Sequence, residues 1–230
     1  MSDICLLCGA PLTYLETAEE MKCAVCGRIF SGSARCENGH YICDECHASP
    51  AEAAVRVTAL QTASKNPIEI AAEMMASPAV HMHGPEHHFL VAAALLSAYK
   101  NTGGEIDLET AVNAAVARGK KVPGGFCGMA GNCGAAVSAG IFLSIILKTT
   151  PLSAESWALG MKITASCLNA IAEHGGPRCC KRDSYSAILA AAAFVKEELG
   201  ISFEIPENIV CTFSAKNREC LHQACPFFST

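Results

Sequence analysis

Charge is scarce in this 230-residue chain: Asp, Glu, Lys and Arg together make up 17% of it, and none of it forms a basic run. With 17 basic against 22 acidic residues the net charge is −5. Phosphate recognition needs a basic face, so nucleic acid is excluded as the main partner. Long apolar runs are missing too. The longest, Ala135 to Leu147, is interrupted by Ser138, Gly140 and Ser144 and is too short for a bilayer span. No membrane partner is expected. The opening Met1-Ser2-Asp3-Ile4-Cys5 has neither a positive n-region nor an apolar h-region. A cytoplasmic protein is therefore the expectation, with its thiols reduced rather than paired as disulfides.

Cysteine, by contrast, is abundant, with 15 residues, and the hydrophobic share of 51% is enough for a sizeable core. In a reducing compartment, cysteines that come in pairs read as metal ligands or redox groups. The first 48 residues hold four such pairs: Cys5/Cys8, Cys23/Cys26, Cys36/His40 and Cys43/Cys46. A CxxC turn aims two sulfurs at one ion, and eight ligands make two tetrahedral sites, so two zinc ions are expected. So short a segment has little core, and the metal would supply its folding energy. Two pairings are open. The sequential one joins Cys5, Cys8, Cys23 and Cys26, then Cys36, His40, Cys43 and Cys46. The interleaved one joins the first pair to the third and the second to the fourth. The GHYICDEC run from Gly39 to Cys46 resembles the turn of RING-like cross-brace fingers, which favours interleaving over a zinc ribbon. Seven acids against three cations in residues 1–48 suit a protein partner rather than phosphates.

Beyond Ser49-Pro50 the pattern turns helical. The reading is a linker helix within 49–66 (Ala51 to Ala63), then an all-helical domain over 67–230. Asn66-Pro67 is a cap followed by a proline at the first helical position, opening Pro67 to Ala76. Further helices are expected over Phe89 to Lys100, Asp107 to Arg118, Asn132 to Lys148, Ser153 to His174 and Ser184 to Leu199. Asn208 to Ser214 reads as a strand. The fold class is thus mainly α, with a small zinc-binding module in front.

Two loops carry the candidate chemistry. Before the Phe89 helix, His81-Met82-His83-Gly84-Pro85-Glu86-His87-His88 gathers half of the chain's eight histidines. Neutral imidazole can ligate metal or move a proton near pH 7. Gly125 to Gly134 holds Cys127 and Cys133 among glycines, which let the backbone approach a bulky group. Farther on, Arg178-Cys179-Cys180-Lys181-Arg182 places three cations around two thiols before a helix. Such a place can lower a thiol pKa or bind a substrate carboxylate. Cys220 and Cys225-Pro226 lie near the end of the sequence, and a proline often follows a cluster cysteine. Cys127, Cys133, Cys179, Cys180, Cys220 and Cys225 therefore offer more thiolates than one four-ligand centre needs, while Cys167, in mid-helix, reads as packing.

Gly125 to Val195 resembles the catalytic α-domain of iron–sulfur L-serine dehydratases and the related cysteine desulfidases. The shared marks are the Gly-Cys loop before a small-residue helix, Thr150-Pro151, Glu173-His174 and the cysteine-plus-cations run at Cys179. His81 to Pro85 is similar to their substrate loop. The resemblance implies a 4Fe-4S cluster on three cysteines with one iron open to substrate. Cys127 and Cys179 would be ligands, Cys225 a ligand or plug, and the third ligand falls to Cys133 or Cys180. The whole pattern over 67–230 (HGPEHH, CGMAGNCG, RCCKR and CPFF) also resembles a domain family of unknown function from anaerobes and methanogens.

Two functions follow as expectations. One is an iron–sulfur-dependent lyase or sulfur-transfer enzyme for a small carboxylate or thiol substrate. A base would come from His83, His87 or His174, and a clamp from Arg178 or Arg182. The other is a non-catalytic zinc-binding adaptor or a metal or sulfur carrier. The partners expected are the small-molecule substrate, a protein docked on the zinc module, and a second copy of the chain in a homodimer.

Overall fold

The computed structural model describes residues 5, 10–24, 27–43 and 50–229. It divides the chain into two compact units, Met1–Ala53 and Ala54–Thr230. The expected ligands Cys8, Cys26 and Cys46 lie outside the described residues.

The first unit is organised by an antiparallel hairpin, β1 (Leu12–Lys22) and β2 (Ile29–Cys36). Neither strand is legible in the sequence, because Glu16, Glu19 and Glu20 break the apolar alternation that marks a half-buried strand. The register shifts in the middle: Tyr14 pairs with Ala34 but Glu19 pairs with Gly32, so five steps along β1 are matched by two along β2. Such a bulge sharpens the twist. Gly32 is where Tyr41 lies against the hairpin, since a Cβ there would collide with the Tyr41 ring. Gly27 and Gly39 take positive φ (71° and 80°) in the turns at opposite ends of the hairpin.

The second unit is helical. Among the described residues its α-helices are α1 (Pro50–Gln61, whose first residues belong to the first unit), α2 (Pro67–Ala76), α3 (His87–Asn101), α4 (Leu108–Gly119), α5 (Phe126–Ala130), α6 (Gly134–Ile146), α7 (Glu155–Ala172) and α8 (Cys180–Leu199). The helix read as a linker contributes Val55 and Ala59 to the core, and its Ala59 carbonyl accepts the Ser97 hydroxyl at 2.9 Å. Asn66 caps α2 as its sequence implies, accepting from the Ile68 and Glu69 amides.

The core forms around α3 and α6. From Phe89 to Ala98 every residue of α3 is buried, and it packs against α2, α4, α6 and α8. Small residues let these helices approach closely. The Ala92 amide donates to Ser138 Oγ across α3 and α6 at 2.9 Å. Gly134, the first residue of α6, abuts His88, where any Cβ would run into the imidazole ring. That ring is itself fixed, Nδ1 lying 3.0 Å from the Val122 carbonyl.

After α8 the chain is irregular except for two short 3-10 turns, Ser214–Lys216 and His222–Ala224. The expected strand over 208–214 is not formed. A backbone bond ties this segment to the tail itself, Cys211 N to the Phe227 carbonyl at 2.7 Å, while the Phe213 amide goes to sulfur instead. The tail folds back on the start of α8: Phe227 packs edge-on to Tyr185 at 5.4 Å, and Phe213 lies under the Lys181 ammonium at 4.9 Å.

The Gly134 contact generates a test. Gly134→Ala should destabilise the second unit by about 1–3 kcal/mol, the range for overpacking a fixed site, measured by urea unfolding. A variant as stable as the parent would show that His88 moves freely.

Candidate functional site

Three constellations carry candidate chemistry: one in the first unit and two in the second.

In the first unit, Cys5, Cys36 and His40 bring their ligand atoms within 4.8 Å of one another, a group that could hold a metal ion. Cys5 Sγ and His40 Nδ1 are 3.8 Å apart, and the His40 amide donates to Cys36 Sγ at 3.3 Å. Cys36 ends β2, and its amide reaches the His40 carbonyl at 3.0 Å, which folds the CxxxH turn. At the other end of the hairpin the Cys43 amide donates to Cys23 Sγ at 3.4 Å, and Cys23 bridges to Tyr41. The described ligands are thus grouped as the interleaved pairing groups them, Cys5 with Cys36 and His40, and Cys23 with Cys43.

In the second unit a cleft of about 590 Å³ opens between the Gly125–Cys133 segment, the end of α7, the loop Gly175–Arg178 and the start of α8. This volume lies in the range that takes a small molecule. Cys127 and Cys133 line one side; Arg178, Arg182, Asp183 and Glu219 line others. Glycine supplies much of the wall. A Cβ at Gly125, Gly128, Gly131, Gly175 or Gly176 would meet nothing within 4 Å. Gly125, Gly131 and Gly175 also need glycine for positive φ (74°, 63° and 64°). Gly128 does not: it sits inside α5, where glycine costs roughly 1 kcal/mol against alanine. The free space before it is what close approach of a ligand would use.

A second, much smaller hollow of about 10 Å³ lies where the tail meets α8. Cys179, Cys211, Cys220 and Cys225 line it, with Phe213, Phe227 and Phe228 as apolar neighbours. Arg182 borders both spaces. The five cysteines expected to share a cluster are therefore divided: Cys127 and Cys133 face the cleft, Cys179 and Cys225 face the hollow. Cys180 follows the α8 cap and lines neither. Cys211 and Cys220 fall outside that expected set. Sequence alone puts Cys211 in a strand interior and Cys220 among surplus thiols.

The cations of the Arg178–Arg182 run do not lower the thiols as expected. Burial dominates, pushing Cys180 up to about 11 and Cys133 up to about 12, and raising Cys179. Two of the three cations are committed elsewhere. Lys181 is 1% exposed, its Nζ within 3.2 Å of the Val80 carbonyl and 3.4 Å of the Met75 carbonyl at the end of α2. Arg182 donates from Nε to Asp183 at 3.2 Å and from one terminal nitrogen to the Gly175 and Pro177 carbonyls at 2.9 and 3.1 Å. Arg178 is exposed on the cleft wall, where it can meet a substrate.

The histidine loop is mostly architecture. Glu86, buried, accepts from the His81 amide at 2.6 Å and faces His81 Nδ1 at 3.1 Å; Gly84 is required because a Cβ would strike the Glu86 carboxylate. His87 lies between Ser184 Oγ and the His81 carbonyl, at 3.2 and 3.3 Å. The carbonyl demands a donor, so neutral His87 carries its proton on Nε2. It lines neither the cleft nor the hollow. His174 packs edge-on to Phe227. His83 is different. Its Nε2 is 2.9 Å from Glu219 Oε2, and Glu219 lines the cleft.

A family model, described as a family of unknown function (DUF5714), matches residues 55–228. No curated protein and no solved structure matches the chain.

His87 sets a pH dependence. Burial first, and the Lys181 charge second, lower it from 6.5 to about 3. The unfolded chain then binds the extra proton, so stability is full above pH 6.5 and is lost as pH falls toward 3, by about 1.4 kcal/mol per unit. Between pH 6.5 and pH 5 the parent should lose about 2 kcal/mol more than His87→Gln in urea unfolding. Parallel pH profiles would show that His87 is not held neutral.

Proposed function

We propose a function for this chain, which belongs to DUF5714, a family of unknown function: an enzyme that acts on a small carboxylate- or thiol-bearing substrate in the glycine-walled cleft. The observation that carries the reading is the cleft itself, where two thiols, an exposed arginine and a histidine-backed carboxylate converge on unfilled space. Arg178 binds the substrate carboxylate. Glu219, with His83 behind it, takes the proton that leaves the substrate in an elimination, while the leaving hydroxyl or thiol departs with the bonding electron pair. Burial keeps Cys133 protonated in the free protein, so it serves as a hydrogen-bond donor to the leaving group. An iron–sulfur centre, when bound, would supply a Lewis acid to this chemistry. Cys179 and Cys225 are the members of the expected ligand set that share one hollow. The resemblance to iron–sulfur dehydratases supports the reaction class.

The first unit is read as a zinc module with interleaved pairing. Cys5, Cys36 and His40 are joined by Cys8 in one site; Cys23 and Cys43 are joined by Cys26 and Cys46 in the other.

Both readings are testable. Arg178 is exposed, so Arg178→Ala spares the fold; it should weaken binding of small 2-hydroxy or 2-amino acids about 10–100-fold in calorimetry, and leave binding of their amides unchanged. Equal carboxylate affinity in parent and variant would remove Arg178 and this use of the cleft. For the pairing, Cys23→Ala in the presence of zinc should leave the Cys5 thiol protected from alkylation. Exposure of Cys5 in that variant is the result sequential pairing requires.

A further inference from the structure

We infer that Cys179, Cys211, Cys220 and Cys225 form a soft-metal site of four thiolates, distinct from the hairpin sites and from the cleft thiols. The inference rests on the hollow and not on the substrate assigned to the cleft.

Four observations converge. The first is placement: Cys179 and the three tail cysteines, separated by more than thirty positions in sequence, line one small hollow whose other walls are mostly apolar, with Phe213, Phe227, Phe228, Met82 and Leu221 among them. A dry, apolar shell strengthens metal–thiolate bonding. The second is exposure. Cys167, at 0% exposed, has its Sγ on the Ala187 carbonyl at 3.3 Å and is closed to an incoming ion. Cys211, Cys220 and Cys225 are only partly buried. The third is hydrogen bonding to sulfur. The Arg182, Phe213 and His222 amides donate to Cys179, Cys211 and Cys220 at 3.5, 3.4 and 3.4 Å, and Asn217 Nδ2 adds a second donor to Cys179 at 3.5 Å. Donors aimed at sulfur stabilise thiolate charge. The same device recurs in the hairpin unit at Cys36 and Cys23. The fourth is the tail. From Ile201 to Ser229 it has no helix or strand beyond its two short turns. So long an irregular segment inside a compact unit needs a tether, and a metal clip supplies one.

Charge agrees with the assignment. Four thiolates carry more negative charge than one divalent ion, and the Lys181 and Arg182 cations follow Cys179 closely in sequence and are buried. Two further facts bear on the nuclearity. A single tetrahedral ion with bonds of about 2.3 Å draws its sulfurs to roughly 3.8 Å. Among the described residues, Cys5, Cys36 and His40 are the one group of three ligand-type residues within 4.8 Å, so no three sulfurs of the hollow meet that limit and a single ion would have to draw them together. The free volume, by contrast, is that of one water-sized sphere. Four thiolates on a soft metal are common to both forms, and metal analysis separates them. Each cysteine releases one proton on binding.

The test uses the full chain purified without oxygen, with iron, zinc and acid-labile sulfide measured per chain. Iron with sulfide identifies a cluster; a single additional ion without sulfide identifies a mononuclear site. In either case Cys211→Ser and Cys220→Ser should each lower occupancy of that centre about tenfold or more, and Cys127→Ser, Cys133→Ser and Cys167→Ser should leave it unchanged. Circular dichroism guards against unfolding, and Asn217→Ala, which keeps all four sulfurs, should leave the centre filled, shifting its visible absorption where the metal is iron. Full metal content in Cys211→Ser and Cys220→Ser, or loss on Cys127→Ser, overturns the site. Carboxylate binding in the cleft is scored separately, so failure of the substrate reading leaves this result intact.

Discussion

The second unit hinges on one buried guanidinium. Arg182 is 3% exposed, and its partner Asp183 is 5% exposed. Taking both charges out of water costs several kcal/mol per ion unless every donor finds an acceptor. Here the Asp183 carboxylate accepts from Nε and the Gly175 and Pro177 carbonyls accept from one terminal nitrogen, so the loop after α7 is held against the first turn of α8. That clamp makes Arg182 the wall between the cleft and the cysteine hollow. Desolvation raises the Asp183 pKa, while the Arg182 cation beside it pulls the other way. Removing either partner leaves an uncompensated buried charge, and removing Arg182 also takes from both spaces their common side.

Around this clamp the unit uses sulfur where other folds use backbone. Cys179 is the N-cap of α8, its thiol accepting from the Arg182 amide. In the tail the amides two residues after Cys211 and Cys220 turn back to those sulfurs. The hairpin unit repeats the device at both of its ends. Thiols arranged in this way are poor acceptors while protonated and good ones as thiolates. The geometry is therefore of most use with a metal bound.

The sequence made local features legible and hid those that depend on return of the chain. Asn66-Pro67 located α2 to the residue. The spacing of the amino-terminal ligand pairs left two pairings open; the likeness of Gly39 to Cys46 to a cross-brace turn favoured the interleaved one, in which Cys5 joins Cys36 and His40 as they are grouped here. The start of α8 escaped, since cysteine is not a usual cap and Cys179 to Asp183 read as a loop. The β-branched run before Ser214 looked like a strand because nothing in it shows that its amides go elsewhere. The histidine loop looked catalytic as a group, yet Glu86, His87 and His88 hold the loop to Ser184, Val122 and their own backbone. The roles of Cys211 and Cys220 required knowing that the tail folds back on α8, which no spacing reveals.

The tail cysteines and Cys179 are held to act as a set. Alkylation of the folded, reduced full chain with and without its native metal, read by mass spectrometry at each cysteine, tests this most directly. Metal should protect Cys179, Cys211, Cys220 and Cys225 together, while the reactivity of Cys127 in the open cleft stays as it is in the metal-free chain. Protection of Cys127 with Cys179, leaving Cys211 and Cys220 as reactive as in the metal-free chain, would contradict it.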